Sequence, residues 1–378
     1  LYLVESGGLT AACDRRSGGE LVLGRVPGTL SALVTSRFDQ LDERHRRMLQ
    51  FASVLGQEFP RKLLLDYLDA VSTETSATLP ESPDGALELL FANKLLRGRD
   101  APAGRTVSFR TPLARRVAYN TLLVHNRRIL HGLAAAVCLR ASGGPVRPGM
   151  AAGHLMAAGD VQRAVEQGLA ELKMASDGCQ TTEALRWAQT LLEWAEMPAS
   201  GARAETVLRV MDMQRTALEM EGRVEECRRT LQRMSSMAET HGLPSWRARA
   251  MIGLGSLMAL TGAPRDALEL LRAGAGLAEE ADDGRLVAAA LGAQAQCSMR
   301  LGEPEEAEES LTSALRAAEE VGDGALAARC LLGKSQLELI TGRAKSAVSS
   351  LRGLLRRAPG PGVRLRMAAM ANLGAAQA

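Results

Sequence analysis

Across the second half of the chain, apolar positions recur in a helical rhythm that is cut at a fixed interval. Gly222, Gly262, Gly302 and Gly342 stand 40 residues apart, in EGRVEECRRTL, TGAPRDALELL, LGEPEEAEESL and TGRAKSAVSSL. Five residues after each comes Cys227, Ala267, Ala307 or Ala347, and nine after comes Leu231, Leu271, Leu311 or Leu351. A second turn signal falls near each half-period, in HGLP, ADDG, VGDG and GPGV. A fixed period of this size marks a repeat architecture.

Each unit reads as a helix–turn–helix. The glycine follows the C-terminus of the first helix, where a left-handed backbone is needed. Pro264 and Pro304 come two residues later, in the first turn of the next helix, where a missing N–H costs little. The small residue at the fifth position lets two helices approach closely, and the leucine four residues on lies one turn further along the same face. Such a hairpin leaves apolar surface that only its neighbour can cover, so the units stack as an α-solenoid. GDVQRAVEQGLAELKMA (159–175) and TTEALRWAQTLLEWAE (181–196) read as degenerate earlier members. The expected array covers 150–378.

The front part has a different pattern. In PGTLSALVTSRFDQL, Thr29 is a good N-cap for a helix carrying Leu30, Leu33, Val34, Phe38 and Leu41. Asp42 caps a second helix with Met48, Phe51, Ala52 and Leu55 as its apolar stripe, ended by Gly56. Pro60 begins a third, with Leu63, Leu64, Tyr67 and Leu68. A polar Pro/Ser/Thr stretch over 71–85 predicts a loop, and ALELLFANKLL (86–96) a helix. A turn and a short strand ending near Phe109 follow, then helices over 112–123 and 126–141. Helices, a short hairpin and further helices make the layout of a winged helix, placed at 21–141. The expected fold class is therefore mainly α, a winged-helix-like domain with a short β-hairpin followed by an α-solenoid.

Composition agrees with α–α packing: apolar residues make up 46% of the 378 and aromatics only 3%. The net charge of +3 is too small to argue for a polyanionic partner. Up to residue 145 there are 19 basic and 14 acidic residues, and beyond it 27 and 29. A front part this mildly basic lacks the footprint of a DNA-binding domain. Six scattered cysteines without a CxxC pair read as buried thiols rather than disulfides. No apolar run reaches membrane-spanning length.

Candidate chemistry is sparse. The basic cluster Arg44, His45, Arg46 and Arg47 reads as the solvated face of the second helix rather than a phosphate reader, since the third helix carries only Arg61 and Lys62 as basic residues. His45, His125, His131, His154 and His241 have no ligand spacing, so no metal is expected. Arg127, Arg128 and His131 share one helical neighbourhood, which favours a salt bridge or interdomain role over catalysis. Glu305, Glu306, Glu308 and Glu309, with Glu319 and Glu320, read as solvated helix faces; a weaker reading has them edge a groove for basic partner segments. Trp187, Trp194 and Met258 read as core. No GxSxG elbow and no GxxxxGK[ST] loop is present, so the chain is not expected to be an enzyme.

Two stretches carry a resemblance. VPGTLSALVTSRFDQLDERHRRMLQFASVLGQEF (26–59) resembles the winged-helix segment that follows the ATPase core of STAND-type signalling regulators, those attached to class III adenylate cyclases, bacterial Ser/Thr kinases or LuxR-type regulators. FRTPLARRVAYNTLLVHNRRILHGLAAAV resembles that family's second motif through Phe109, Arg110, Leu113, Val117, Ala118, Tyr119, Leu122, Arg127, Arg128, Leu130 and His131. LYLVES is similar to the end of the family's ATPase module, so residues 1–20 are expected to be its tail. The repeats resemble the longer, 40-residue tetratricopeptide-like units of bacterial signalling ATPases.

The resemblance implies a non-catalytic regulatory and protein-interaction region, cytoplasmic, coupling nucleotide state to a partner or inducer sensed by the repeats. ATP or ADP would sit in an upstream ATPase domain in cis, with no cofactor in this chain. The implied alternatives are a TPR-like scaffold without a nucleotide switch and, behind it, a DNA-binding regulator. One departure stands out: Thr111 occupies the position of the family's nucleotide-facing His. A threonine hydroxyl donates a hydrogen bond but carries no charge. The opening at Leu1 rather than Met, and a last helix without its partner, lead to the expectation that the parent is longer at both ends.

Overall fold

A computed structural model describes residues 28–100, 104–141, 146–357 and 369–374. The chain divides into two compact units, one up to Ala202 and the other from Arg203 onward. The expected ATPase tail at 1–20 lies outside the described residues.

In the first unit, α1 (Gly28–Asp39) starts one residue before Thr29, which therefore sits in the first turn. Helix α2 (Glu43–Leu55) begins at Asp42, whose carboxylate accepts from the His45 N–H at 3.0 Å, and ends at Gly56. A three-residue strand, β1 (Glu58–Pro60), comes before α3 (Arg61–Thr75), and α4 (Pro83–Ala92), β2 (Leu96–Arg99) and β3 (Thr106–Phe109) follow. The strands form an antiparallel sheet in the order β1-β3-β2, with Leu96 opposite Phe109 and Phe59 opposite Val107. The hairpin was expected; the third strand was not, because three residues carry too little alternation to show.

Two boundaries differ from expectation for visible reasons. Helix α3 runs on to Thr75 and stops where Ser76 turns left-handed at φ 51°, and Ser82 caps α4 through the Gly85 N–H. The loop is thus only 76–82. The helix expected over 86–96 ends at Ala92, since Lys94 adopts φ 58°, and the apolar pair Leu95 and Leu96 is buried toward the sheet. Met48, Leu64, Tyr67, Leu90, Phe59 and Phe109 fill the core beneath, the two phenylalanine rings meeting edge-on at 6.4 Å.

Helices α5 (Pro112–Asn120) and α6 (Val124–Arg140) close this core, and α7 (Pro148–Ala158), α8 (Val161–Asp177) and α9 (Thr181–Ala195) complete the unit as antiparallel neighbours. Trp187 and Trp194 are both buried and meet edge-on at 6.2 Å.

The second unit is a stack of helical hairpins. First helices α10 (Ala204–Met220), α12 (Pro244–Leu260), α14 (Gly284–Leu301) and α16 (Gly324–Ile340) alternate with second helices α11 (Val224–Thr240), α13 (Pro264–Glu280), α15 (Pro304–Glu320) and α17 (Ala344–Arg357). The array is an α-solenoid with a 40-residue repeat. Backbone φ is positive at Gly222, Gly242, Gly262, Asp282, Gly302, Gly322 and Gly342, one left-handed residue per turn. At each turn the following N–H reaches back five residues, as from Arg223 to the Leu218 carbonyl (3.0 Å) and from Asp283 to that of Ala278 (2.9 Å). That long bond satisfies a carbonyl the helix end would leave open.

Side-chain packing follows the period. Cys227, Ala267, Ala307 and Ala347 are fully buried, as are Leu231, Leu271 and Leu351, with Leu311 at 3% exposure. Helix α12 touches α14 and α14 touches α16, while successive second helices make no comparable contact. From α12 to α16 the spacing is closer on the first-helix side, so the stack bends toward it there and these first helices line the inner face; α10 makes no comparable contact with α12.

Candidate functional site

Each first helix buries two sides, one against its own second helix and one against the next hairpin, and leaves one stripe open. In α10 the stripe carries Glu205, Arg209, Thr216 and Met220; in α12 it carries Ser245, Arg249, Ser256 and Leu260. The same positions hold Arg285, Ala289, Gln296 and Arg300 in α14, and Ala325, Arg329, Gln336 and Ile340 in α16. These residues are four, eleven and fifteen apart from the first, which returns them to one side of a helix. Thr216, Ser256, Gln296 and Gln336 thus form a column of uncharged hydrogen-bonding side chains, one per repeat. Leu260 and Ile340 are 63% and 71% exposed, an apolar edge on the same stripe.

The four turn glycines and Ala267, Ala307 and Ala347 do not reach this face. They hold the turns and the helix–helix contacts behind it. None of the stripe residues stands out in the sequence, because the period shows which positions repeat and not which ones remain uncovered.

In the first unit a buried polar cluster joins α5, α6 and α7. The Tyr119 hydroxyl lies 2.9 Å from His131 Nε2, and His131 Nδ1 lies 2.9 Å from His154 Nδ1. Burial pulls the His131 imidazole down to about 4, with the Arg115 and Arg127 charges adding to it. Burial likewise holds His154 well below the usual histidine range, helped by His131 and Arg115. Both rings are therefore neutral at physiological pH, and the pair ties two helices together through one shared proton. The expectation of a salt bridge around Arg127 and His131 is replaced: Arg127 donates to the Leu122 and Asn120 carbonyls and stacks over Tyr119 at 4.7 Å. The 23 residues between the two histidines hid the contact from spacing arguments.

Thr111 is the N-cap of α5, its hydroxyl accepting from the Ala114 N–H at 3.2 Å, and it is exposed. The basic cluster of α2 is engaged locally. Arg44 pairs with Glu81 at 3.3 Å, Arg46 donates to the Asp39 and Leu41 carbonyls, and Arg47 reaches Thr78 and Glu43. These arginines brace the 76–82 loop and the end of α1. Helix α4, PDGALELLFA, has two acidic residues and no basic one. A second buried anchor is Glu171, 2% exposed, which pairs with Arg147 and accepts from the Gly149 N–H at 3.0 Å at the start of α7.

Among the described residues no group of three or more His, Cys, Asp and Glu side chains is placed to hold a metal ion. None of the described cysteines is in a disulfide. Among the described residues no helix is long and apolar enough to cross a membrane.

No family model and no curated protein matches the chain. Among solved structures, aspartyl phosphate phosphatase F from Bacillus subtilis is similar with a TM-score of 0.46 and 15% identity, over 93% of this chain and 88% of that one. BtubC from P. vanneervenii gives 0.44 and 11%, over 62% and 91%. A signal transduction ATPase with numerous domains and a tetratricopeptide repeat sensor, from Pyrococcus horikoshii, gives 0.42 and 13%, over 95% of this chain and 56% of that one. The chain therefore spans little more than half of the P. horikoshii protein's length. At these scores the likenesses add nothing about function, and the α-solenoid stands on the chain's own hairpins and turns.

Proposed function

We propose that this chain is the regulatory, protein-binding region of a STAND-type signalling ATPase. In this reading the unit with the β1-β3-β2 sheet is a winged helix that braces an upstream nucleotide module holding ATP or ADP, and the solenoid takes a partner or inducer. Ligand on the repeats would bias a two-state equilibrium of the whole protein, by as much as its differential affinity for the two states. The observation that carries the reading is the open stripe of the first helices, repeated in register along the inner face. A stacked array that packs the other sides of its first helices against neighbours and leaves this one accessible favours the binding of a second chain there. The sequence resemblance supplies the link to an ATPase.

Two measurements on this chain test the reading. ATP turnover and ATP binding should both be absent; measurable turnover or micromolar affinity would place catalytic parts in this chain and overturn it. A peptide-display selection on the immobilised chain should enrich a defined sequence class above a blank surface. A selection no better than the blank would remove the protein-binding role.

A second reading, a scaffold without nucleotide switching, is favoured by one observation. Thr111 spends its hydroxyl on capping α5 and cannot supply the charge of the family's histidine. DNA reading by the first unit has no such support, because α3 carries only Arg61 and Lys62 as basic residues, α4, which leads into the β2–β3 hairpin, is acidic, and the arginines of α2 are engaged within the fold.

A further inference from the structure

Charge is sorted between the two helix layers of the second unit. Helices α12, α14 and α16 together carry six basic residues and one acidic one, and that one, Glu338, is only 3% exposed. Helices α13 and α15 carry ten acidic residues against three basic. The final second helix, α17, is basic, so the split belongs to residues 244–340. Along this segment the inner stripe holds Arg249, Arg285, Arg300 and Arg329 and no acidic residue.

Local pairing does not neutralise the stripe. Arg249 contacts Asp212 at 3.3 Å and Arg285 contacts Asp323 at 3.7 Å, with 41% and 67% of their side chains still exposed. Arg300 and Arg329 are exposed and make no ion pair with a described residue. Between these cations run Gln296 and Gln336, able to pair with main-chain N–H and C=O groups, and Ser256, whose hydroxyl donates to the Ile252 carbonyl at 2.8 Å and keeps its acceptor sites; beside them stand the apolar Leu260 and Ile340.

We propose that this inner face takes an extended, acidic segment of a partner protein. Arginine guanidinium groups favour carboxylates through paired N–H donors. At the usual helix-contact spacing of about 8–10 Å, the column from Ser256 to Gln336 spans about 20 Å. Roughly six residues of extended chain at ~3.3 Å each would follow it. The exposed Leu260 and Ile340 select apolar residues between the acidic ones. Nucleic acid fits less well: Trp246, the ring beside the stripe, is already covered by the Arg249 guanidinium at 5.4 Å, which leaves no row of rings on which successive bases would stack, and the acidic second-helix layer repels a bulky polyanion.

The inference rests on the protein-binding reading and fails separately from it. Display that enriches basic or purely apolar peptides would keep that reading and overturn this one. The direct test uses the whole chain and fluorescence anisotropy with three probes. One is a fluorescein-labelled 12-residue peptide with Glu at every third position and Leu, Ser and Ala between. The others are its Lys counterpart and a labelled 12-nucleotide oligothymidine. The acidic peptide should bind more than tenfold tighter than the Lys peptide, and the oligothymidine weakest of all. Arg300→Glu with Arg329→Glu should weaken the acidic peptide about tenfold or more, about 1.4 kcal/mol per tenfold, with the helical circular dichroism unchanged. Arg316→Glu, on the outer helix α15, should leave it within twofold. Equal binding of the two peptides, a double variant within twofold of the parent, or tighter oligothymidine binding would each overturn the proposal. Should the double variant unfold, Arg300→Gln with Arg329→Gln gives the same contrast by charge removal.

Discussion

Three glycines within one hairpin give the repeat a quantitative contrast. Gly255, Gly262 and Gly276 lie on α12, at the turn after it and on α13, and each is to be replaced by alanine. At Gly276 a Cβ would meet nothing within 4 Å, and the residue is helical. Alanine there gains its helix preference and should stabilise by about 0.5–1 kcal/mol. At Gly262 a Cβ also meets nothing within 4 Å, but φ is +101°. A side chain in the left-handed region costs about 1–2 kcal/mol, offset in part by about 0.4–1 kcal/mol from a stiffer unfolded chain. The net should be a loss of about 1 kcal/mol. At Gly255 the backbone is helical, yet a Cβ would lie 2.7 Å from Leu271 Cγ and 3.2 Å from the Ala267 carbonyl oxygen. Overpacking of about 1–3 kcal/mol exceeds the helical gain, so this variant also loses stability. Thermal melts followed by circular dichroism should show Gly276→Ala raised by about 1–4 °C and the other two lowered. If Gly262→Ala and Gly276→Ala moved in the same direction, the assignment of turn and helix to these positions would be refuted. If Gly255→Ala rose with Gly276→Ala, the close approach of α12 to Leu271 would be wrong.

Further outcomes follow from single contacts. Because His131 falls from 6.5 to about 4 in the folded chain, the unfolded chain binds the proton more readily between these values. Stability is therefore complete above pH 6.5 and is lost progressively toward pH 4, by up to about 3 kcal/mol from this group. A urea midpoint that stayed flat across that range would contradict the buried neutral pair. Removing the cap of α2 with Asp42→Ala should cost about 1 kcal/mol in the same urea titration, and no change would mean the cap does not hold in solution. Ala307→Phe, at a fully buried position, should cost about 1–3 kcal/mol, and unchanged melting would mean the repeat register is wrong. Thr111→Ala should weaken α5 by about 1 kcal/mol through its lost cap; an unaltered midpoint would argue against the capping role.

Much of the architecture could be read before any coordinates. The 40-residue spacing of glycines located every second turn because a left-handed residue is needed where one helix ends and the next begins. Asp42 and Gly56 marked both ends of α2 for equally local reasons. Local rules failed where a segment's state depended on what lay opposite it. Leu95 and Leu96 look like the end of a helix and become sheet core because Phe109 waits across the ladder. Asp282 takes the left-handed position that Gly242 and Gly322 fill in the neighbouring half-period turns, so ADDG marks the turn without showing which of its residues turns left-handed. The His131–His154 contact joins residues on separate helices, and nothing in the spacing of either announces it.

From the sequence alone came the mainly α class, the hairpin period and both ends of α2. All of these are set within a few turns of one helix, where propensity, glycine conformation and apolar periodicity act. Only the tertiary structure decided which face of the first helices stays uncovered and that basic residues gather on it while acidic ones gather behind. Periodicity fixes which residues share a side of a helix, but burial is a property of the neighbours that pack against that side. Those neighbours lie 20 to 40 residues away along the chain.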